Sequence, residues 1–191
     1  FGPAAALYGA DAVAGVINII TERAGQGPGP WLSIGAGSHD SADASFMAGI
    51  KTEQNVALSI GGHGQRSDRA PLDNYYPEAF PKVDARTFSG SVVVPASERE
   101  RYVGGIDSDS LHARLDIGDN LTLGYYRNTF HSLTSTGDPP AYALYDNGAG
   151  WTTRSHSAWG KYRFNASSDL SGELVVDYST QEVSPKSRYL N

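Results

Sequence analysis

From Trp31 onward the chain alternates between apolar and polar positions. Between 111 and 117, Leu111, Ala113, Leu115 and Ile117 fall on one parity and His112, Arg114 and Asp116 on the other. Between 170 and 178, Leu170, Gly172, Leu174, Val176 and Tyr178 stand against Ser171, Glu173, Val175 and Asp177, and only Val175 breaks the pattern. Val56, Leu58, Ile60, Gly62 and Gly64 oppose Ala57, Ser59, Gly61, His63 and Gln65. Ala44, Phe46, Ala48 and Ile50 oppose Asp43, Ser45, Met47, Gly49 and Lys51. Segments 31–38, 121–131 and 154–164 carry weaker versions of the same rhythm. A period of two marks a strand with one apolar and one polar face. The pattern predicts about seven strands of roughly 8 to 11 residues, the length that crosses a bilayer when tilted.

The connections alternate too. Thr52 to Gln54, Gly118 to Asn120 and Ala166 to Asp169 are tight, whereas Arg66 to Asp109 and Ser132 to Gly150 are long, polar and aromatic. Short turns at one end and long loops at the other are the habit of outer-membrane barrels. A structureless loop of that length is rare in a compact domain, so the first long loop is expected to carry local structure or function. Within it, Thr87 to Val94 reads as an extra hairpin arm that Pro95 keeps out of a central sheet.

Composition fits strands and turns: 191 residues hold 22 Gly and 11 Tyr. No apolar run reaches the roughly 18 to 20 residues of a membrane helix. The mean hydropathy of −0.38 is nevertheless compatible with a barrel, in which only alternate residues are apolar. The absence of cysteine excludes disulfide scaffolds and thiol nucleophiles. A net charge of −6 without a basic cluster argues against nucleic acid as a partner.

The first thirty residues differ. Gly2-Pro3 ahead of three alanines and Leu7-Tyr8-Gly9 reads as a short helical turn with Pro at its start and Gly at its stop. Val16 to Thr21 is a β-branched strand, and Gln26-Gly27-Pro28-Gly29-Pro30 continues neither helix nor ladder. The stretch from Gly2 to Thr21 resembles the end of the plug domain of TonB-dependent outer-membrane receptors. The positions that carry the likeness are Gly2, Pro3, Leu7, Tyr8, Gly9, Ala12, Gly15, Val16, Ile17, Asn18, Ile19 and Thr21. Ala14 stands where that family usually has a glycine, and Phe1 where a basic residue often precedes Gly-Pro. The resemblance implies an all-β fold, a partial antiparallel transmembrane β-barrel contributing about seven consecutive meander strands to a barrel of about 22. Residues 1–25 are then expected to end the plug, 26–30 to form a linker, and 31–191 to begin the barrel. It further implies a ligand-gated importer of a scarce nutrient (ferric siderophore, haem or cobalamin) in the outer membrane of a Gram-negative bacterium. The TonB complex of the inner membrane, outer-membrane lipid and the small-molecule or metal-chelate ligand are its expected partners, with no cofactor and no enzymatic activity.

The remaining chemistry is weaker. None of the five histidines sits at the spacing of a metal pair, and no Gly-x-Ser-x-Gly elbow accompanies His131-Ser132 or His156-Ser157. No catalytic or metal residue is assigned; Asp68, Asp73, Asp84, Asp107 and Asp109 read as solvated loop acids rather than calcium ligands. Tyr75, Tyr76, Tyr142 and Tyr145 are candidate ligand contacts, because exposed aromatics bring large contact area with few rotors. Trp151, Tyr162, Phe164 and Tyr178, near strand ends, read as a membrane-interface girdle. The rival reading is a soluble β-rich carbohydrate-binding or adhesin module. The two differ in what the apolar parity faces: a protein core in the module, lipid in the barrel.

Overall fold

The computed structural model describes residues 29–102, 104–133, 141–143 and 149–188. The plug-like motif between Gly2 and Thr21, and Tyr145 of the candidate ligand contacts, lie outside the described residues. Nine strands are described: β1 (Trp31–Ala36), β2 (Ala42–Lys51), β3 (Val56–Ser67), β4 (Ala85–Arg86), β5 (Val92–Val94), β6 (Ile106–Ile117), β7 (Leu121–Leu133), β8 (Gly150–Asn165) and β9 (Ser171–Val183). Seven of them form one antiparallel sheet in the order β1-β2-β3-β6-β7-β8-β9, a plain meander; β4 and β5 pair separately as the arm in the first long loop. The sheet is the expected all-β partial barrel wall, left open at β1 and β9.

Register joins the strand patterns into one surface. Residues directly opposite in a ladder share a face. Ala48 pairs with Ile60, Ile60 with Ala113, Ala113 with Tyr125, Tyr125 with Ala158, and Ala158 with Tyr178. One row nearer the short turns, Ile50, Leu58, Leu115, Leu123, Gly160 and Val176 line up in the same way. Every apolar parity read from the sequence therefore lands on the same side of the sheet. A slip of one residue in any pairing would turn that strand's apolar set to the other side.

Exposure decides which side is which. On the inner strand β3, Leu58 is 44% exposed and Ile60 38%, whereas on the opposite side of the same strand Ala57 is 6% exposed and Ser59 4%; on the edge strand β9 both sides are exposed. A water-soluble sheet buries its apolar face and wets its polar one; the inner strand β3 does the reverse. The apolar side is the outer, lipid-facing surface and the polar side the lumen. The girdle follows the same logic: Tyr162 and Phe164 stack at 6.2 Å at the short-turn edge of the outer face, and Tyr125 and Tyr178 stand at its other edge. Trp151 departs from the expectation. It pairs with Ser132, on the polar parity, and so lines the lumen side near the long loops rather than the girdle.

The short-turn end is laced by hydrogen bonds. Asn55 and Gly118 adopt left-handed backbone, φ 57° and 61°, which lets each turn reverse in few residues. Gly118 N–H donates to Asn55 O at 2.9 Å, Asn55 Nδ2 to Asp119 Oδ1 at 3.3 Å, and Asn120 Nδ2 to Arg163 O at 2.8 Å. At the other end the strands run long. β7 and β9 have 13 residues and β8 has 16, against the 9 to 11 that span a bilayer, so their excess projects beyond the lipid towards the long loops.

Two substitutions on one parity and one on the other test the assignment of faces. Leu115→Arg and Leu174→Arg, with cations set into the lipid-facing belt, are each expected to cost roughly 2 to 4 kcal/mol and to lower the yield of folded barrel in the full-length protein. Ser171→Arg, on the lumen parity, is expected to be mild. The heat-modifiable fraction on electrophoresis reads all three, and an equal loss in each overturns the assignment.

Candidate functional site

The polar face of the wall carries its own network. Arg114 and Asp116, two apart on β6, point the same way and form a bidentate ion pair with both contacts at 2.9 Å; Thr122 Oγ1 donates to Asp116 Oδ1 at 2.8 Å. A second group sits across β8 and β9, where Glu173 takes Arg163 at 2.8 Å and Lys161 at 3.1 Å. His63, read from parity as a lumen-facing hydrogen-bonding residue, meets Ser45 at 2.8 Å. Gly124 lies beneath the ring of Trp159, leaving no room for a Cβ, so this indole is held flat against the wall. Towards the long loops the same face presents Tyr126, Asn128, Phe130 and Trp151. Sequence reading passed over Tyr126 and Phe130 because their strand alternates weakly, yet their parity, opposite to Leu121 and Leu123, places them in the lumen.

The first long loop is structured. It holds one helical turn, α1 (Leu72–Tyr75), two 3-10 turns (Pro77–Ala79 and Ala96–Glu98) and the β4–β5 arm. It also meets the second long loop directly. Arg86 N–H donates to Ala141 O at 2.6 Å, Arg99 Nη2 donates to Ala143 O at 2.6 Å, and Phe88 lies 5.1 Å from the ring of Tyr142. Two small apolar clusters seal the junction: Ala85 with Ala149 and Val94, and Tyr102 with Ala143, Leu72 and Phe80. Both long loops therefore emerge together at one end and form a canopy over it.

Of the candidate contacts, Tyr75 and Tyr76 stand exposed at 64% and 56%, while Tyr142 is half-buried against Phe88. Phe80 and Tyr102, 5.1 Å apart, flank a cavity of about 200 Å³ in the first loop, which Asp73, Lys82, Arg99 and Arg101 also line. Arg101 Nε binds Asp73 Oδ2 at 3.0 Å, and Asp73 Oδ1 is buried without a hydrogen-bond partner among the described residues. Among the described residues no group of three or more His, Asp or Glu is arranged to hold a metal ion.

Asp84 ties the arm to its base. Ala96 N–H donates to Asp84 Oδ1 at 3.0 Å and Arg86 Nη2 to Oδ2 at 2.6 Å; the backbone hydrogen bond first and the guanidinium second hold this carboxyl below the ordinary 3.8. A depressed pKa means that the tie is complete above about pH 3.8 and is lost as pH falls through the lower folded value. A spin label at Ser89 is expected to stay ordered from neutral pH down to about pH 4 and to loosen below it, whereas Asp84→Asn loosens it at every pH. In the wall, Asp116→Ala is expected to cost about 2 kcal/mol in denaturant titration of the lipid-reconstituted barrel. That is less than a fully buried pair would lose, because the Arg114 side chain keeps 19% exposure.

Comparison with known proteins agrees with this geometry. The chain is similar to a protein described as the vitamin B12 transporter BtuB of Vibrio vulnificus, 51% identical over 61 residues, covering 32% of this chain and 10% of the relative. It is also similar to the protein of the same description from Vibrio cholerae, 42% identical over 92 residues, covering 37% of this chain and 15% of the relative. The chain thus spans between a tenth and a sixth of the length of these relatives, which are transporters and not enzymes. No family model and no solved structure matches it. An antiparallel wall with its long loops gathered at one end is in keeping with this likeness to outer-membrane vitamin B12 transporters over the matched stretches.

Proposed function

We propose that this chain is part of a ligand-gated transporter that takes up a scarce nutrient across the outer membrane, with residues 1–25 ending the plug, 26–30 linking it and 31–191 opening the barrel. The observation that carries the reading is the continuous apolar row on one side of the sheet, exposed on the inner strand β3 while the opposite side of that strand is buried, which suits a wall between lipid and an aqueous lumen. Among cobalamin, haem and ferric siderophore, the relatives' description as vitamin B12 transporters favours a cobalamin-like ligand and lends nothing to the iron-bearing alternatives. The ligand meets Tyr75, Tyr76 and Tyr142 at the canopy, with Tyr145 a further contact on its sequence alone, then Tyr126, Phe130 and Trp151 on the lumen wall below. Flat aromatic surfaces suit a large, rigid, partly apolar macrocycle. Energy comes from the inner-membrane TonB complex pulling on the plug, so this chain's own residues bind and release but make no covalent chemistry.

Two measurements test this. In a strain lacking its own vitamin B12 receptor, the full-length protein is expected to restore growth on nanomolar cyanocobalamin, and Phe130→Ala to weaken uptake about tenfold, near the energetic worth of one aromatic contact. Rescue by a ferric siderophore and none by cyanocobalamin would overturn the ligand while leaving the transporter. Cysteines at Tyr76 and Tyr142 are expected to react with an impermeant maleimide on intact cells, and one at Asp119 to stay silent. The opposite pattern inverts the topology and removes the canopy from ligand capture.

A further inference from the structure

Aromatic side chains are unevenly spread over the lumen face. On β7 and β8 they stand in four of five successive rows: Trp151 opposite Ser132, Phe130 opposite Thr153, Tyr126 opposite Ser157 and Trp159 opposite Gly124, with only the row of Asn128 and Ser155 between them lacking one. The lumen positions of the neighbouring strands β3, β6 and β9 carry no Phe, Tyr or Trp. Three features of this column bear on its use.

The first is depth. Trp151 follows two residues after Ala149 of the canopy cluster, whereas Trp159 stands between Ala158 and Gly160, whose rows belong to the outer apolar belt. Its indole therefore lies at the level of the bilayer. The eight steps along β8 between the two (159 − 151) cover about 26 Å of strand, or about 20 Å of depth at a tilt near 40°. The second is presentation. Tyr126, Phe130 and Trp151 are exposed, and the Trp159 ring lies across Gly124, where a Cβ would collide with it. A ring laid along the backbone turns a face rather than an edge to the lumen. The third is charge. From the row of Tyr126 up to that of Trp151, the lumen positions of β6 to β9 hold mostly hydroxyl and amide side chains between the aromatics, and no carboxylate, ammonium or guanidinium. Charged groups begin in the row of Trp159, with Arg114 and Asp177, and continue below it with Asp116, Lys161 and Glu173. A neutral strip of flat rings and hydrogen-bonding groups complements a ligand that is flat, uncharged where it touches the wall, and rimmed with amides or hydroxyls. It offers no cation to the carboxylates of a haem or to an anionic chelate.

We infer that the lumen face of β7 and β8 is the side of the barrel down which the ligand passes, with Trp159 its lowest contact, met after release from the canopy and not during capture. The inference rests on the transporter reading and adds the route to it. Stacking on a ring is tolerant of sideways displacement, so successive rings hold the ligand about equally and none traps it. The widest step, about 13 Å between Phe130 and Tyr126, is bridged by Asn128 and Ser155, which offer amide and hydroxyl groups to the ligand's rim.

The test uses the full-length protein in cells lacking their own vitamin B12 receptor, and cyanocobalamin carrying a maleimide on its ribose. Covalent capture is expected at Phe130→Cys with or without a proton motive force, at Trp159→Cys only while the force is present, and at Met47→Cys in neither condition. Met47 lies in the row of Tyr126 but three strands away, on β2. In parallel, Trp159→Ala is expected to leave binding of cyanocobalamin to unenergised cells within about twofold and to lower energised uptake about tenfold, with Trp159→Phe retaining most of it. Binding and uptake of cyanocobalamin by the unaltered protein report on the transporter reading by themselves. Where both are present, no capture at Trp159→Cys in energised cells, capture there without the force, or equal capture at Met47→Cys overturns the route alone. Unchanged uptake in Trp159→Ala together with new sensitivity to vancomycin assigns the ring to packing against the plug and likewise overturns it. Ser157→Cys, nearly isosteric and in the row of Tyr126, carries the same expectation as Trp159→Cys and decides where a Trp159 variant fails to fold.

Discussion

The wall depends on one constraint: residues opposite one another in an antiparallel ladder point to the same side, so the register of six successive pairings decides whether seven apolar stripes become one surface or a patchwork. Here they become one. Ile50, Leu58, Leu115, Leu123 and Val176 occupy a single row, with Gly160 where β8 crosses it, although their strands lie as far as 126 positions apart in sequence (176 − 50). Lipid requires this, since a polar residue in that row has nothing to bond to, and water forbids it, since the row buries nothing. The same alignment that makes the chain unsuited to a soluble sandwich therefore makes it suited to a bilayer, and the adhesin reading is not favoured on that ground.

Much of this is legible in the sequence because the period-two signal is local. Where one parity is fully apolar, as at 111–117, seven residues fix both the strand and its faces. Where the stripe is diluted, as in β7 and β8, the strand was still found but not the meaning of its aromatics. Trp151 read as girdle because it is large and near a strand end; only its pairing with Ser132 reveals the side it takes. Tyr126 and Phe130 were missed for the converse reason, since an aromatic on a polar parity looks like noise until the neighbours on β6 and β8 define a lumen. The long loops were the least legible. Phe88 meeting Tyr142 and Arg99 reaching Ala143 join residues more than forty positions apart, without a repeating pattern to announce the contact.

The lumen side shows how a membrane wall handles charge. Arg114 and Asp116 would be ruinous on the outer face, yet on the inner one they sit within hydrogen-bond reach of Thr122 and beside the small residues Ala57 and Ser59 of β3, which stand opposite them in register. Small partners matter here: they leave space for the guanidinium to lie along the wall and accept the pair in a planar, bidentate form. Glu173, shared between Lys161 and Arg163, repeats the arrangement two strands away. Ion pairs of this kind add little net stability, but each fixes the direction of a charge on the lumen side of the wall.

Wall and canopy are also separable in what holds them. The wall's apolar residues are spent on lipid, so it has no core to lend to its loops, and the loops make their own from Ala85, Ala149, Tyr102, Ala143 and the residues around them. These clusters are small, and the canopy leans as much on Arg86, Arg99 and Asp84 reaching backbone groups as on burial. Hydrogen bonds to main chain do not depend on the side chain of the partner residue. Aromatic and charged positions on the loops can therefore change while the backbone frame that presents them, and the register beneath it, stays as it is.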